Sequence, residues 1–249
     1  SVTEPAPTRD HTERMLRGFG YSVRCENGVI SVAGGGVLRG TEIDIPADIS
    51  SAAFFMVGAS IAPGSDLMLE HVGLNPTRDG VITILRAMGA DIEVSHERTV
   101  GGEPVADLRI RYAPLRGIDI PVEEVPLAID ELPAILVAAA CAEGVTVLRG
   151  AEELRVKESD RIASMAEGLS HIGIRNTVAP DGITVVGGTP SGGVITTHHD
   201  HRIAMSFAMA ALRASDPIIV TDCAHVATSF PGFAELAANT GLRLTVTAS

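Results

Sequence analysis

The sequence predicts an α/β fold in which three similar units form one lobe with quasi-threefold symmetry. The first observation is self-similarity: three segments run from an aspartate near a helix start to a glycine after a second helix, with nearly constant spacing. These pairs are Asp48 and Gly89, Asp130 and Gly173, and Asp200 and Gly241. The second is composition. Hydrophobic residues make up 45% of the chain and aromatic residues only 3%, so small aliphatic side chains must fill the core, which suits helices packed on sheets.

Each unit is predicted to contain the same elements in the same order. The aspartate is a favourable N-cap for an apolar helix, and a turn and a short strand follow. An amphipathic helix then ends at the glycine, and another strand comes next. The predicted strands lie at 67–69 and 92–94, at 145–148, 174–178 and 183–186, and at 218–220 and 244–246. The repeats span approximately residues 46–113, 118–190 and 191–249.

Residues 1–45 lie outside this repeat. A helix is expected from about residue 9 to 19, followed by a hairpin whose strands, 21–25 and 29–32, flank Glu-Asn-Gly. The three glycines at 34–36 predict a turn rather than a phosphate-binding loop, because no helix start follows them.

Charge and cysteine content restrict the function classes. The net charge is −12, which argues against nucleic acid and anionic membranes as partners but allows a small anionic substrate in a local basic pocket. The three cysteines, Cys25, Cys141 and Cys223, form no Cys-x-x-Cys motif, so neither disulfides nor zinc are expected. No apolar run is long enough to span a membrane, and no signal peptide is recognised. A cytoplasmic location is therefore predicted.

Lys157 is the single lysine among nineteen basic residues. A lysine is a compact point charge whose pKa can fall on desolvation, whereas arginine stays protonated. One interpretation is therefore an active-site ammonium that handles an anion or a proton. The other interpretation is that the single lysine falls at this position by chance.

The run Lys-Glu-Ser-Asp-Arg at 157–161 is expected to open an amphipathic helix. Lys157 and Arg161 would then lie on one helix face, where like charges repel unless an anion sits between them. A solvated surface face is the alternative. Helix N-termini from several units aimed at one place would add to anion binding.

Asp130 also has two interpretations. It could simply cap the apolar helix that follows it. Alternatively, it could act as a general base at the N-terminus of an apolar helix, where partial shielding from water raises its pKa.

Two further segments carry cations near helix starts. Histidines at 198, 199 and 201 allow a metal site, but adjacent side chains point in different directions and no zinc pattern supports it. We therefore expect no metal, and favour His201 and Arg202 as a hydrogen-bonding and anion-binding pair. Arg9 stands beside the first predicted helix in the same manner.

Five motifs together resemble the 5-enolpyruvylshikimate-3-phosphate synthase family of the shikimate pathway, which serves aromatic amino acid biosynthesis. They are Thr-Arg-Asp-His-Thr at 8–12, Leu-Asn-Pro-Thr-Arg at 74–78, Leu-Arg-Val-Lys-Glu-Ser-Asp-Arg at 154–161, Asp-His-Arg-Ile-Ala-Met at 200–205 and Thr-Ser-Phe-Pro at 228–231. The resemblance implies an enolpyruvyl transferase-like lobe of three βαβαββ units with pseudo-threefold symmetry. It also implies transfer of the enolpyruvyl group of phosphoenolpyruvate to the 5-hydroxyl of shikimate 3-phosphate, without cofactor or metal.

The resemblance also assigns roles to individual residues. Asp130 resembles the base for the 5-hydroxyl proton, and Glu158 the group that exchanges a proton with the enolpyruvyl methylene carbon, with Lys157 beside it. Arg161 and Arg202 resemble a clamp on the phosphoenolpyruvate carboxylate, with His201 adjacent. Arg9 resembles a contact to the shikimate phosphate.

Two departures from the family pattern shape the expectation for this chain. Thr228 stands where many members have a lysine, and the motifs of the family's amino-terminal half are not found. Residues 1–45 are therefore expected to be the end of the first lobe and residues 46–249 the second lobe. The fragment is expected to be inactive by itself and the complete protein to be a monomer. The alternatives are an enolpyruvyl transferase acting on UDP-N-acetylglucosamine and a non-catalytic binding lobe.

Overall fold

Helices and strands alternate along most of the chain. The computed structural model describes residues 1–4 and 8–247, so residues 5–7, and residues 248–249 of the third predicted repeat, lie outside the described part. The helices are α1 (His11–Gly18), α2 (Ile49–Ile61), α3 (Gly80–Ala87), α4 (Leu132–Ala140), α5 (Arg161–His171), α6 (His201–Ala210), α7 (Val226–Ser229) and α8 (Phe233–Asn239). The strands are β1 (Val2–Thr3), β2 (Val23–Glu26), β3 (Val29–Val32), β4 (Asp66–Gly73), β5 (Asp91–Val100), β6 (Glu103–Arg111), β7 (Val145–Leu148), β8 (Asn176–Ala179), β9 (Gly182–Val186), β10 (Gly193–Thr196) and β11 (Ile218–Thr221).

The first two units contain equivalent three-stranded antiparallel sheets. In the first, β6 lies between β4 and β5, and in the second, β9 lies between β7 and β8. An extended segment precedes the first helix of each unit and pairs in parallel with the strand after that helix, through Ala47 with Val72 and through Asp119 with Val147. The predicted order of elements is confirmed in these two units.

Helices α2, α4 and α6 form the centre of the structure and pack on one another. Nearly every residue of these helices is buried, on all sides, as expected for helices that are apolar around their whole circumference. Asp48 caps α2 by accepting hydrogen bonds from the backbone N–H groups of Ser50 and Ser51, and Asp200 caps α6 through that of Arg202. Both predicted caps are confirmed. In the described part of the chain, no helix has the length and apolar composition needed to cross a membrane.

The third unit differs from the other two, and the strand predicted at 244–246 is wrong. β10 and β11 pair in parallel as a two-stranded sheet, and residues 242–247 have no regular structure. In the other units a central antiparallel strand joins the two outer strands. The described residues after α8 provide no such central strand, so the backbone at 244–246 has no neighbouring strand with which to form hydrogen bonds.

The amino-terminal segment is attached to the first unit by a polar network. The predicted helix and hairpin are present as α1 and the antiparallel pair β2–β3, with β1 added at the edge of β3. The side chain of buried Asn75 donates to Asp10 at 2.7 Å and to Glu103 at 2.9 Å. Glu103 also binds His11 at 2.7 Å. The two family-like motifs at 8–12 and 74–78 therefore contact each other.

We expect Gly168→Ala to destabilise the fold, because α5 packs closely on α6 at this glycine. A Cβ atom at residue 168 would lie 2.3 Å from the ring of Phe207, which is fully buried in an interior where side chains are closely packed. Overpacking of this kind costs about 1–3 kcal/mol, which should exceed the gain of up to about 1 kcal/mol from replacing a helical glycine. Urea unfolding measures the difference.

The matched control for this variant is Gly34→Ala. A Cβ at residue 34 meets open space, so the substitution should be neutral or stabilise by up to about 1 kcal/mol. Equal unfolding midpoints for the wild type and Gly168→Ala would contradict the packing described between α5 and α6.

Candidate active site

Four cations converge on the carboxylate of Asp130. The Arg9 guanidinium donates a hydrogen bond to it, and the other three side chains approach to within 4 Å. Those distances are 3.6 Å for Lys157 Nζ, 3.3 Å for an Arg161 guanidinium nitrogen and 3.9 Å for one of Arg202. The cluster joins the segment before α1, the turn before α5 and the starts of α5 and α6. Most of the residues singled out in the sequence therefore meet in one place.

Asp130 does not cap α4, so the capping interpretation is wrong. Glu131 occupies the N-cap position and its side chain makes no capping hydrogen bond. Pro133, in the first turn of α4, has no N–H group and so reduces the need for a capping acceptor. The Asp130 side chain is thereby available to the surrounding cations.

The expected rise in the pKa of Asp130 is also wrong. Burial opposes ionisation of this carboxyl group, but the charge of Arg202, the hydrogen bond from Arg9 and the charge of Lys157 outweigh it and hold its pKa at about 2. Asp130 is therefore ionised at neutral pH, which is the form that can accept a proton.

Lys157 and Arg161 do not share a helix, contrary to the sequence prediction. Lys157 follows a 3-10 turn at residues 152–156, and α5 begins only at Arg161, because Asp160 caps it by accepting from the backbone N–H of Ala163. The expected anion between the two cations is nevertheless present, since both approach Asp130 Oδ1. Lys157 also donates a hydrogen bond to Glu153.

The buried guanidinium of Arg161 contacts three carboxylates. Its side chain is only 1% exposed. Its Nε lies 2.8 Å from Asp200 Oδ2, and its terminal nitrogens lie 2.5 Å from Glu158 and 3.3 Å from Asp130. Glu158 is half exposed, so one of its carboxylate oxygens is held while the side chain still faces solvent.

Arg202 and His201 lie at the start of α6. An Arg202 terminal nitrogen donates to the backbone carbonyl of Asp130 at 3.0 Å. Burial, together with the charge of Arg202, lowers the pKa of His201, so this imidazole is neutral at physiological pH and can donate or accept a hydrogen bond.

The other two histidines do not join this cluster. His198 binds Glu167 at 3.0 Å, and the ring of His199 packs edge-on against His225. Within residues 1–4 and 8–247, no three potential metal ligands come together.

Sequence reasoning missed three residues that border the site. Glu131 is 2% exposed and accepts a hydrogen bond from the hydroxyl of Ser50, which in turn accepts one from Arg78. The position of Glu131 in its repeat could have pointed to it, because Glu131 occupies the same N-cap position as Asp48 and Asp200. The contact with Ser50 and Arg78 joins residues far apart in sequence and could not be predicted.

A model of the EPSP synthase (3-phosphoshikimate 1-carboxyvinyltransferase) family matches residues 1–236. A protein from Alkalilimnicola ehrlichii named 3-phosphoshikimate 1-carboxyvinyltransferase is 67% identical over 245 residues, covering 98% of this chain and 55% of that protein. One of the same name from Methylococcus capsulatus is 65% identical and is covered to 56%. The chain thus spans about half the length of these relatives.

Two solved structures are also similar. EPSP synthase from Acinetobacter baumannii superposes with a TM-score of 0.96 at 59% identity, covering 99% of this chain and 57% of that one. The enolpyruvyl transferase NikO from Streptomyces tendae has a TM-score of 0.74 at 19% identity, covering 94% and 53%. The second likeness concerns the fold alone.

We expect Asp130→Asn to lower the free energy of unfolding at neutral pH by about 2 kcal/mol, because four cations lose their shared counter-charge. Since the folded pKa of Asp130 lies below its unfolded value of 3.8, its contribution is fully present above about pH 4. It is lost as the pH falls towards 2. Chemical denaturation of both proteins at several pH values measures the difference.

Glu97→Gln is the control for this prediction, because it removes one carboxylate charge from an exposed position on β5. This variant should match the wild type at every pH. Equal unfolding free energies of wild type and Asp130→Asn at neutral pH, or a difference that shrinks already between pH 7 and pH 5, would contradict the prediction.

Proposed function

Because the chain belongs to the EPSP synthase family, we propose that it carries one wall of an active site for enolpyruvyl transfer. The reaction moves the enolpyruvyl group of phosphoenolpyruvate to the 5-hydroxyl of shikimate 3-phosphate and releases phosphate. The observation that supports this most directly is that Asp130 and Glu158 both contact the Arg161 guanidinium, within a cluster of cations. Acid–base groups and anion-binding groups are thereby close together.

The proposed chemistry is addition followed by elimination. Asp130 accepts the 5-hydroxyl proton as the oxygen attacks the central carbon of phosphoenolpyruvate, while Glu158 gives a proton to the methylene carbon. In the second step the resulting methyl group returns a proton to Glu158 as the C–O bond to phosphate breaks, and Asp130 passes the proton that it accepted to the departing phosphate. Lys157, beside Asp130, stabilises the charge that builds up on the phosphate.

The remaining cations are proposed to bind the two substrates. Arg202 and Arg161 hold the phosphoenolpyruvate carboxylate, with His201 as a neighbouring hydrogen-bonding group. The Arg161 side chain is 1% exposed and its nitrogens lie against Asp130, Glu158 and Asp200, so one of these contacts must open before Arg161 reaches that carboxylate. Arg9, whose side chain is 46% exposed, binds the shikimate phosphate.

The amino-terminal half of a full-length member is the proposed partner, and it would supply the opposite wall of the site. We also propose that the complete enzyme is a cytoplasmic monomer that needs no cofactor. The net charge of −12 supports small-molecule substrates over nucleic acid or membrane partners.

Two other functions give different results in direct tests. An enolpyruvyl transferase for UDP-N-acetylglucosamine would prefer that substrate in a competition assay; the names of the high-identity relatives favour shikimate 3-phosphate instead. A non-catalytic lobe would bind shikimate 3-phosphate in calorimetry but show no turnover even with the other half added.

We expect the 249-residue chain alone to release no phosphate from a mixture of both substrates, because it spans only 55% of a full-length relative. Adding the amino-terminal portion of that relative should restore release, measured by a phosphate assay. The full-length relative is the positive control. Phosphate release by the isolated chain would contradict the proposal that a second wall is required.

We expect Lys157→Arg, in a hybrid of this chain and that amino-terminal portion, to lower kcat/KM at least about tenfold, or about 1.4 kcal/mol of transition-state stabilisation. Arginine keeps the charge but replaces a compact ammonium with a larger planar group. Arg175→Lys, an exchange of the same kind at an exposed position, is the control. Full turnover with Lys157→Arg would mean that the single lysine has no special role.

A further inference from the structure

The carboxylate at the start of α4 is used differently from its two counterparts. Asp48, Glu131 and Asp200 occupy the N-cap positions of α2, α4 and α6. Asp48 and Asp200 cap their helices, but the side chain of Glu131 does not. A capping role therefore gives no reason for a carboxylate at residue 131.

The contacts of Glu131 reach both neighbouring units. Its Oε1 accepts the hydrogen bond from Ser50 and lies 3.8 Å from a terminal nitrogen of Arg78, both in the first unit. The same oxygen lies 3.9 Å from a terminal nitrogen of Arg202, in the third unit. One carboxylate of the second unit thus lies between two guanidinium groups of the other two units.

This arrangement is costly for stability alone. Only 2% of the Glu131 side chain is exposed, and removing an ionised carboxylate from water carries a penalty that pairing only partly offsets. Burial outweighs the hydrogen bond from Ser50 and the charges of Arg202 and Arg78, so the pKa of Glu131 is raised above its ordinary value. Replacing a whole buried ion cluster with well-packed apolar residues is often neutral or stabilising, whereas removing one member leaves its partners unpaired. Stability alone therefore does not account for a buried cluster of Glu131, Arg78 and Arg202 at this place.

We infer that Glu131 is a positioning residue for the proposed enolpyruvyl transfer: it orients Arg202 beside Asp130 and couples it through Ser50 to Arg78. An Arg202 terminal nitrogen donates one hydrogen bond to the Asp130 carbonyl at 3.0 Å. Glu131 Oε1 lies 3.9 Å from the same nitrogen, where the opposite charges attract each other. Glu131 itself touches no reacting atom. The inference rests on the proposed function, because Arg202 is proposed to bind the phosphoenolpyruvate carboxylate.

The test compares wild type with Glu131→Gln, which keeps the shape and removes the charge. The first readout needs no ligand: the Nε–H signal of Arg202 in a ¹⁵N–¹H NMR spectrum, assigned by its loss in Arg202→Lys. We expect this signal to shift and broaden in Glu131→Gln and to stay unchanged in Glu97→Gln. An unchanged Arg202 signal in Glu131→Gln would overturn the inference.

The second readout is calorimetric titration of the same chains with phosphoenolpyruvate. Glu131→Gln should bind about tenfold more weakly than wild type, and Glu131→Asp should recover part of that loss. A purely structural role would instead lower the thermal midpoint and leave the affinity of the folded protein unchanged, which would also overturn the inference. Absence of binding by the wild-type chain would count against phosphoenolpyruvate binding by this chain, and the NMR comparison would still decide the role of Glu131.

Discussion

The site depends on the attraction between the Asp130 carboxylate and the four cationic side chains around it. Arg9, Lys157, Arg161 and Arg202 are brought together although like charges repel, and a single carboxylate within 4 Å of all four supplies the opposing charge. The same attraction accounts for the low pKa of Asp130 and for the close approach of segments that are far apart in the chain. An incoming phosphate or carboxylate would have to compete with this internal anion for the same donors.

The three buried helices make this concentration of charge possible. Their apolar surfaces pack on one another, and the starts of all three contribute polar groups to the cluster around Asp130 and Glu131. The positive ends of the helix dipoles favour anions there, which explains why each helix begins with a carboxylate. Two of those carboxylates cap their own helices, and the third binds its neighbours.

Local sequence pattern predicted the framework well and the site only in part. The caps Asp48 and Asp200, and the helices and strands of the first two units, follow from spacing and from the chemistry of short polar side chains. The strand at 244–246 was wrong because strand formation depends on a partner. The pKa of Asp130 was wrong because Arg9 and Arg202 approach from distant parts of the chain, and Glu131 was missed for the same reason.

The short sheet of the third unit has a practical consequence for handling the protein. With only β10 and β11 in that sheet, each strand has one edge whose backbone groups find no ladder partner among residues 1–4 and 8–247. Val194 and Ile219 are both more than half exposed there. Strand edges without a ladder partner, next to exposed apolar side chains on one face of the sheet, can pair with another molecule, so the isolated chain should self-associate at high concentration. Its working concentration range should be set by light scattering before any binding isotherm is interpreted.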